Sequence, residues 1–188
     1  MTDIRSAKIA ILATDGFEQS ELMQPLKMLR EAGAEVHVVS LKEGSIKGWD
    51  EKDWGESVPV DKVLSAVSVA DYDALVLPGG QINPDVLRAD EKAVAFIKEF
   101  YNSKKPLAAI CHAPWLLIEA DVVRGRDVTS YASIKTDLKN AGANWQDSAV
   151  VVDEALITSR NPGDIPAFVA KIIEEVEEGR HEDRRKVA

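Results

Sequence analysis

Short apolar runs alternate with segments of helical periodicity along most of this chain. Residues 8–13, 73–77 and 106–110 are apolar runs of the length expected for strands buried on both faces of a sheet. Between the first two, residues 18–32 carry apolar side chains at helical spacing. This alternation predicts one α/β domain over residues 1–188, a flavodoxin-like three-layer sandwich whose mostly parallel sheet has helices on both faces.

The rest of the chain fits the same pattern. Residues 42–60, rich in glycine, charge and tryptophan, predict an excursion that ends in a small hairpin, and the charged segment 180–188 is predicted to be a frayed tail. Further strands are predicted at 35–41, 127–130, 149–152 and 155–158, and further helices at 90–102, 133–141 and 162–178.

Charge and composition narrow the classes of function. The net charge is −9, which disfavours nucleic acid and anionic membranes as partners, because both attract patches of Lys and Arg. No apolar run reaches the ~18 residues of a membrane span, and the first residues lack an apolar signal segment. The single cysteine cannot form an internal disulfide. We therefore expect a cytoplasmic protein.

Polar and glycine residues follow four of the predicted strands. Sites in open parallel sheets form at the carboxyl ends of the strands. Residues 15–18, 79–80, 111–112 and 159–161 should therefore gather at one edge of the sheet. Segments distant in sequence would then surround one sulfur atom.

That sulfur belongs to Cys111, which stands between an apolar run and a helix-like segment. A nucleophile on a sharp strand-to-helix turn is called a nucleophile elbow, and the helix N-terminus behind it favours a thiolate. Ala109 and Ala113 leave room for a tight turn, and His112 is a candidate base. The alternative is a buried, apolar cysteine without a catalytic role.

Other candidates also have two interpretations. Glu18 either begins a helix or lies beside Cys111 as a neutral acid with a raised pKa, able to donate a hydrogen bond to the thiolate. Gly80 and His112 could supply the N–H groups of an oxyanion hole, although Gly79 and Gly80 also suit a plain turn.

A second acid is Asp85, which is either a surface charge or the group that orients His112. Trp115 and Tyr131 are either core residues or walls of a pocket. Arg160 is either a surface residue or a group that binds an anion.

The string AICHAPW at 109–115 resembles the cysteine turn of the DJ/PfpI superfamily, in its branch of PfpI-like intracellular proteases and stress proteins. This superfamily is related to class I glutamine amidotransferases. Further segments resemble it in order along nearly the whole chain: GFEQSEL (16–22), DYDALVLPGG (71–80), RGR (124–126), TSYASI (129–134), NAGANW (140–145) and TSRNPGD (158–164).

The resemblance implies roles for individual residues. Cys111 is the family's nucleophile, Glu18 matches the acid that contacts it, and His112 matches the adjacent histidine. In the protease-like branch a glutamate of a neighbouring subunit meets that histidine; segment 80–85 is one residue longer here and offers the shorter Asp85. The family further implies homodimers or larger homo-oligomers, and neither a metal nor an organic cofactor.

We consider three functions, of which the first two follow from the family's ascribed activities and the third from the chemistry of an accessible thiolate. We expect a stress-response hydrolase that acts through a Cys thiolate on glyoxal or methylglyoxal, as free aldehydes or as small-molecule or protein adducts. The alternatives are an intracellular cysteine peptidase, and a redox sensor or chaperone that uses oxidation of Cys111. Glutamine hydrolysis is disfavoured because residues 159–161 lack a histidine, and nucleotide binding because residues 78–80 lack the pattern of a phosphate loop.

Overall fold

A seven-stranded sheet forms the centre of the computed structural model, which describes residues 2–181. In chain order the strands are β1 (Lys8–Leu12), β2 (Phe17–Glu18), β3 (Glu35–Ser40), β4 (Ser45–Asp50), β5 (Asp53–Pro59), β6 (Lys62–Val63), β7 (Ala74–Leu77), β8 (Leu107–Ile110), β9 (Asp127–Val128), β10 (Asn144–Trp145), β11 (Val150–Asp153) and β12 (Leu156–Ser159). The α-helices are α1 (Gln19–Glu31), α2 (Ile82–Arg88), α3 (Glu91–Asn102), α4 (Pro114–Glu119), α5 (Lys135–Asn140) and α6 (Ile165–Glu178).

The order of the central strands is β11-β12-β8-β7-β1-β3-β6. All neighbours pair in parallel except β11 and β12, which form an antiparallel hairpin. The five strands β3-β1-β7-β8-β12, numbered by their order in the chain, give 2-1-3-4-5, the flavodoxin-like order. The predicted fold class is therefore confirmed.

Side chains of the buried strands alternate between two apolar layers, as the pleat requires. On one face Leu12 and Leu75 pack with residues of α2, α3, α4 and α5. On the other face Ile11 and Val76 pack with residues of α1 and α6. Burial on both faces explains why these strands read as continuous apolar runs, and it gives the three layers.

The glycine- and tryptophan-rich excursion is a hairpin, as predicted. Strands β4 and β5 pair antiparallel, and β4 also pairs in parallel with β2, which gives a small three-stranded sheet. Two hydrogen bonds fix this sheet to the loop after β1. The Gly16 amide donates to the Lys47 carbonyl at 2.8 Å, and the Lys47 backbone amide donates to Asp15 Oδ1 at 2.7 Å. The hairpin thus lies beside the carboxyl edge of the central sheet.

A helix that the sequence analysis did not predict begins within segment 80–85, because α2 starts at Ile82. In the segment predicted to be a frayed tail, the His181 amide donates to the Lys104 carbonyl at 3.1 Å, and the His181 Nε2 lies 2.8 Å from Glu175 Oε2. Residues 182–188 of that prediction lie outside the described residues. No helix in residues 2–181 has both the length and the apolar character needed to cross a membrane.

Substitutions on α6 measure how much the apolar layer of α1 and α6 contributes to stability. Phe168 is fully buried on this helix, whereas Glu177 is exposed on it. We expect Phe168→Ala to lower the free energy of unfolding by about 3–5 kcal/mol through lost burial and a cavity. Glu177→Ala should change it by less than about 0.5 kcal/mol. Urea unfolding measures both free energies, compared with the m-value held common to all variants. Similar effects of the two substitutions would contradict the burial of Phe168 in this layer.

Candidate active site

Cys111 stands on a strained turn directly after β8. Its φ is +65°, a left-handed conformation that a non-glycine residue adopts only when the surroundings hold it there. Two hydrogen bonds do so: the Cys111 amide donates to the Ser159 carbonyl at 3.0 Å, and the Tyr131 amide donates to the Cys111 carbonyl at 2.9 Å. Neighbouring segments therefore fix the side chain at the carboxyl edge of the sheet.

The acid beside the thiol is Glu21, in the first turn of α1. Its side chain is fully buried and interacts with the Cys111 thiol. The Gly79 amide donates to Glu21 Oε2 at 2.9 Å, while Oε1 has no hydrogen-bond partner among the described residues. A buried carboxyl with one free oxygen next to a cysteine is suited to exchange or share a proton.

The prediction that Glu18 fills this position is wrong. Glu18 lies in β2 and precedes α1, so the helical spacing that linked it to the buried leucines does not apply to it. Its Oε1 accepts a hydrogen bond from the Ser20 hydroxyl at 3.2 Å, and it lines the cavity in front of the sulfur. A sequence signal for Glu21 exists, because Glu21 shares the buried side of α1 with Leu22 and Pro25.

Burial dominates the titration of the Glu21–Cys111 pair. It raises the pKa of Glu21 from its ordinary value of 4.5 to about 8, and the nearby Glu18 carboxylate adds to the effect. Burial likewise raises the pKa of the Cys111 thiol, followed by the charge of Glu21. This direction is opposite to the lowered pKa expected from the helix N-terminus. The charge of Glu21 raises the pKa of the thiol only when the Glu21 carboxyl is ionised, so this effect disappears below about pH 8, where Glu21 is neutral.

His112 lies beside the sulfur and is itself enclosed. Its Nδ1 is 3.1 Å from Cys111 Sγ, and its Nε2 is 3.1 Å from the hydroxyl of Ser133, a residue that the sequence analysis did not select. The Tyr131 ring stacks on the imidazole at 4.8 Å and the Trp115 ring meets it edge-on at 5.2 Å. Burial lowers the pKa of His112, which favours the neutral form that a base requires.

The glycine turn after β7 completes the surroundings of the sulfur. The backbone N–H groups of Gly80 and His112 interact with the Cys111 sulfur and lower the pKa of its thiol, against the larger effect of burial. Their role as an oxyanion hole stays a prediction. Gly80 has a φ of +79°, and a Cβ there would lie 2.6 Å from the Gly16 carbonyl oxygen, which excludes a larger residue. Asn83 fixes the turn: its Nδ2 donates to the Pro78 carbonyl at 2.9 Å.

Two of the remaining predicted site residues lie away from the reacting atoms. Arg160 does not line the cavity; it forms ion pairs with Asp164 at 2.9 Å and Asp147 at 2.8 Å. Asp85 lies on α2 and pairs with Arg88 of the same helix, so within one chain it does not orient His112. The predicted contact of Asp85 across a subunit interface stays a prediction.

A cavity of about 410 Å³ opens in front of the sulfur. Its lining comes from three of the four predicted segments, from Pro162 just after the fourth, and from α1, α2, the β4–β5 hairpin and Tyr131: Gly16, Glu18, Glu21, Trp49, Glu51, Gly80, Gln81, Ile82, Cys111, His112, Tyr131 and Pro162. Of the fourth segment, 159–161, Ser159 contacts Cys111 through its backbone carbonyl instead. Tyr131 lines the cavity, whereas Trp115 packs against His112, and its Nε1 donates to Asp137 at 2.8 Å.

A cysteine held in a left-handed turn, with a histidine and a buried carboxyl beside it, defines a thiol-dependent site on a flavodoxin-like sheet. The sequence model of the DJ-1/PfpI family matches residues 7–175. This chain belongs to the DJ-1/PfpI family, and the resemblance found in the sequence is confirmed.

Three similar proteins are named as a deglycase, a cysteine protease and a general stress protein. The chain is 50% identical over 165 residues to Protein/nucleic acid deglycase 2 of Escherichia coli, covering 87% of this chain and 94% of the relative. It is 47% identical over 164 residues to Putative cysteine protease YraA of Bacillus subtilis, with coverage of 87% and 94%. General stress protein 18 of Bacillus subtilis is 47% identical over 163 residues, with coverage of 86% and 92%.

A solved structure agrees with the fold. The crystal structure of Drosophila melanogaster DJ-1beta superposes with a TM-score of 0.82 at 31% sequence identity, covering 92% of this chain and 95% of that one. The flavodoxin-like sheet derived above is therefore the architecture of this family.

The raised pKa of Glu21 predicts how stability depends on pH. The folded protein holds a proton on Glu21 up to about pH 8, whereas the unfolded chain releases it near 4.5. Between these values the unfolded state binds fewer protons, so this group's contribution to the free energy of unfolding falls as pH rises, by at most about 1.4 kcal/mol per pH unit. The stabilising contribution of Glu21 is therefore complete below pH 4.5 and lost above about pH 8.

Glu21→Gln removes this titration and should give a flatter curve between pH 5 and 8. Urea unfolding of both proteins across that range measures the difference. Parallel curves would show that Glu21 is already ionised at neutral pH, against the assignment made from its burial.

Proposed function

We propose that this protein is a stress-response, cysteine-dependent hydrolase that acts on glyoxal or methylglyoxal adducts, or on these aldehydes themselves. The observation that carries the proposal is the buried, proton-bearing Glu21 carboxyl beside Cys111 at the floor of the cavity. The deglycase named among the relatives adds support.

The first step is formation of the thiolate. His112 Nδ1, 3.1 Å from Sγ and held neutral by burial, receives the thiol proton. Neutral Glu21 then donates a hydrogen bond from its otherwise unpartnered Oε1 to the sulfur anion. This arrangement makes the turn a nucleophile elbow in the functional sense.

The chemistry on a methylglyoxal adduct follows from these groups. The thiolate attacks the carbinol carbon, and the amine or thiol of the adduct leaves with a proton from His112. His112, neutral again, accepts the proton of that carbon, and protonated Glu21, with a pKa of about 8, donates its proton to the neighbouring carbon. The hydroxyl proton passes to the former carbonyl oxygen, which converts the enzyme hemithioacetal into a thioester, and His112 returns a proton to Glu21. Water cleaves the thioester to a hydroxy acid and regenerates the thiol. The N–H groups of Gly80 and His112 stabilise the oxyanion.

Cavity size favours a small substrate over a polypeptide. A volume of about 410 Å³ holds a small adduct, and α2 and the β4–β5 hairpin supply its walls. An intracellular cysteine peptidase is the second candidate, and the name of the Bacillus relative favours it. An unpaired thiol of this kind suits the reducing cytoplasm, which we propose as the compartment, with a homodimer or larger homo-oligomer as the assembly.

Paired substitutions of the two glutamates test the reaction. With methylglyoxal and its uncharged hemithioacetal of N-acetylcysteine amide, Cys111→Ser should abolish turnover. Glu21→Gln should lower kcat by roughly 10²–10⁴-fold, the usual contribution of a general acid–base group. Glu18→Gln changes the other glutamate near the sulfur, which lines the cavity but transfers no proton in the reaction, and should lower kcat on these neutral substrates much less than Glu21→Gln does.

Product formation is measured as released thiol and hydroxy acid, and a peptide panel tests the peptidase alternative in parallel. Equal losses in the two glutamine variants would contradict the assignment of the proton-transfer role to Glu21. Turnover of peptides but of no aldehyde adduct would favour the peptidase.

The contact between Glu21 and Cys111 also favours the redox-sensor alternative, because a protonated carboxyl stabilises a sulfinate by the same hydrogen bond. We expect mild peroxide to add two oxygens to Cys111, and Glu21→Gln to push the product on to the sulfonate. Intact-mass spectrometry reads both states directly in a chain with one cysteine. An unmodified Cys111 would exclude the sensor and also count against an activated thiol.

A further inference from the structure

The ionisable side chains that line the Cys111 cavity, apart from the thiol and imidazole, are carboxyl groups. They are Glu18 and Glu51 in the wall and the protonated Glu21 at the floor, and no Lys or Arg of residues 2–181 lines the cavity. Arg160, which follows the last central strand, is occupied by its ion pairs with Asp147 and Asp164. A substrate that enters therefore meets negative charge without a compensating protein cation.

Glu18 and Glu51 belong to elements that are joined through Trp49. Glu18 in β2 stands in register opposite Trp49 in β4, and the Trp49 indole N–H donates to the backbone carbonyl of the exposed Glu51 at 3.2 Å, which holds the turn that carries Glu51 beside the cavity. Burial raises the pKa of Glu18, and the charges of Asp50 and Glu51 add to the effect. The protein thus holds these carboxyls together although their repulsion costs stability.

Two further observations point to a polar, cationic ligand. Glu21 is fully buried at the cavity floor, and its Oε1 has no hydrogen-bond partner among the described residues, so the floor offers a polar atom without adding a charge of its own. The walls include the rings of Trp49 and of Tyr131, which stacks on His112 with one face, and aromatic faces attract cations. His112 does not oppose this charge pattern, because burial lowers its pKa and keeps it neutral.

We propose that the wall formed by β2 and the β4–β5 hairpin selects cationic substrates, so that adducts carried on guanidinium or ammonium groups reach Cys111 in preference to anionic ones. Glu18 and Glu51 are the residues that determine this specificity, and Trp49 supplies the aromatic face. The inference rests on the proposed function for the reaction itself, but charge selection is measurable without turnover.

Charged thiol reagents test the selection directly, because Cys111 is the only cysteine of the chain. The cationic probe is 2-(trimethylammonio)ethyl methanethiosulfonate and the anionic probe is 2-sulfonatoethyl methanethiosulfonate. Each forms a mixed disulfide with Cys111 and releases methanesulfinate, so intact-mass spectrometry gives both rates. The uncharged methyl methanethiosulfonate corrects for changes in the reactivity of the thiol.

We expect the ratio of cationic to anionic rates to fall by roughly fivefold in Glu18→Gln and similarly in Glu51→Gln, as expected for one carboxylate a few ångströms from the probe. Glu56→Gln is the matched control, since Glu56 is exposed on the same hairpin and does not line the cavity. It removes one charge from the whole protein and should leave the ratio unchanged. Equal ratios in all three variants would overturn the inference.

Turnover separates this inference from the proposed function. The methylglyoxal adduct of Nα-acetylarginine amide should have a higher kcat/KM than the uncharged cysteine adduct, and Glu18→Gln should reduce that advantage. Probe selectivity without any turnover rejects the proposed reaction and leaves charge selection standing. Turnover with no preference between the two adducts, together with unselective probes, rejects charge selection and leaves the reaction standing.

Discussion

The site depends on the contact between a buried carboxyl and a buried thiol. Burial disfavours the ionised form of each group. Burial raises the pKa of Glu21 to about 8 and raises that of Cys111 as well. The pair therefore carries its protons at neutral pH and can expose negative charge only where a proton acceptor or a hydrogen-bond donor is in place. His112 and the Gly80 amide provide these two functions at the sulfur.

The rest of the structure holds that contact in place. The left-handed turn at Cys111 is fixed from β12 and from Tyr131, and the glycine turn is fixed by Asn83. Glycine is needed at position 80 because the loop after β1 occupies the space that a Cβ would need. The β4–β5 hairpin then closes one side of the cavity and adds carboxylates and an indole to it. The central sheet thus supplies the reacting groups, and the excursion supplies the wall that a substrate meets.

Much of the fold could be predicted from the sequence because parallel strands buried on both faces have a distinctive apolar pattern. The runs 8–13, 73–77 and 106–110 correspond to β1, β7 and β8, and the hairpin of β11 and β12 follows from its tight turn. The carboxyl-edge rule also brought Cys111, His112 and Gly80 together correctly. The helix α2 was missed because Asn83 and Pro84 are typical of turns, yet here Asn83 is buried and joins two loops.

By itself the sequence determined the candidate cysteine, the sheet edge on which it stands and the family, because these depend on residue identity and on periodicity. Only the tertiary structure decided which glutamate meets the thiol. Glu18 and Glu21 are separated by less than one helical turn, and the point where extended chain becomes helix decides which side chain is turned toward the sulfur. The same holds for the titration of the pair, since desolvation is a property of the packed interior and not of any local segment.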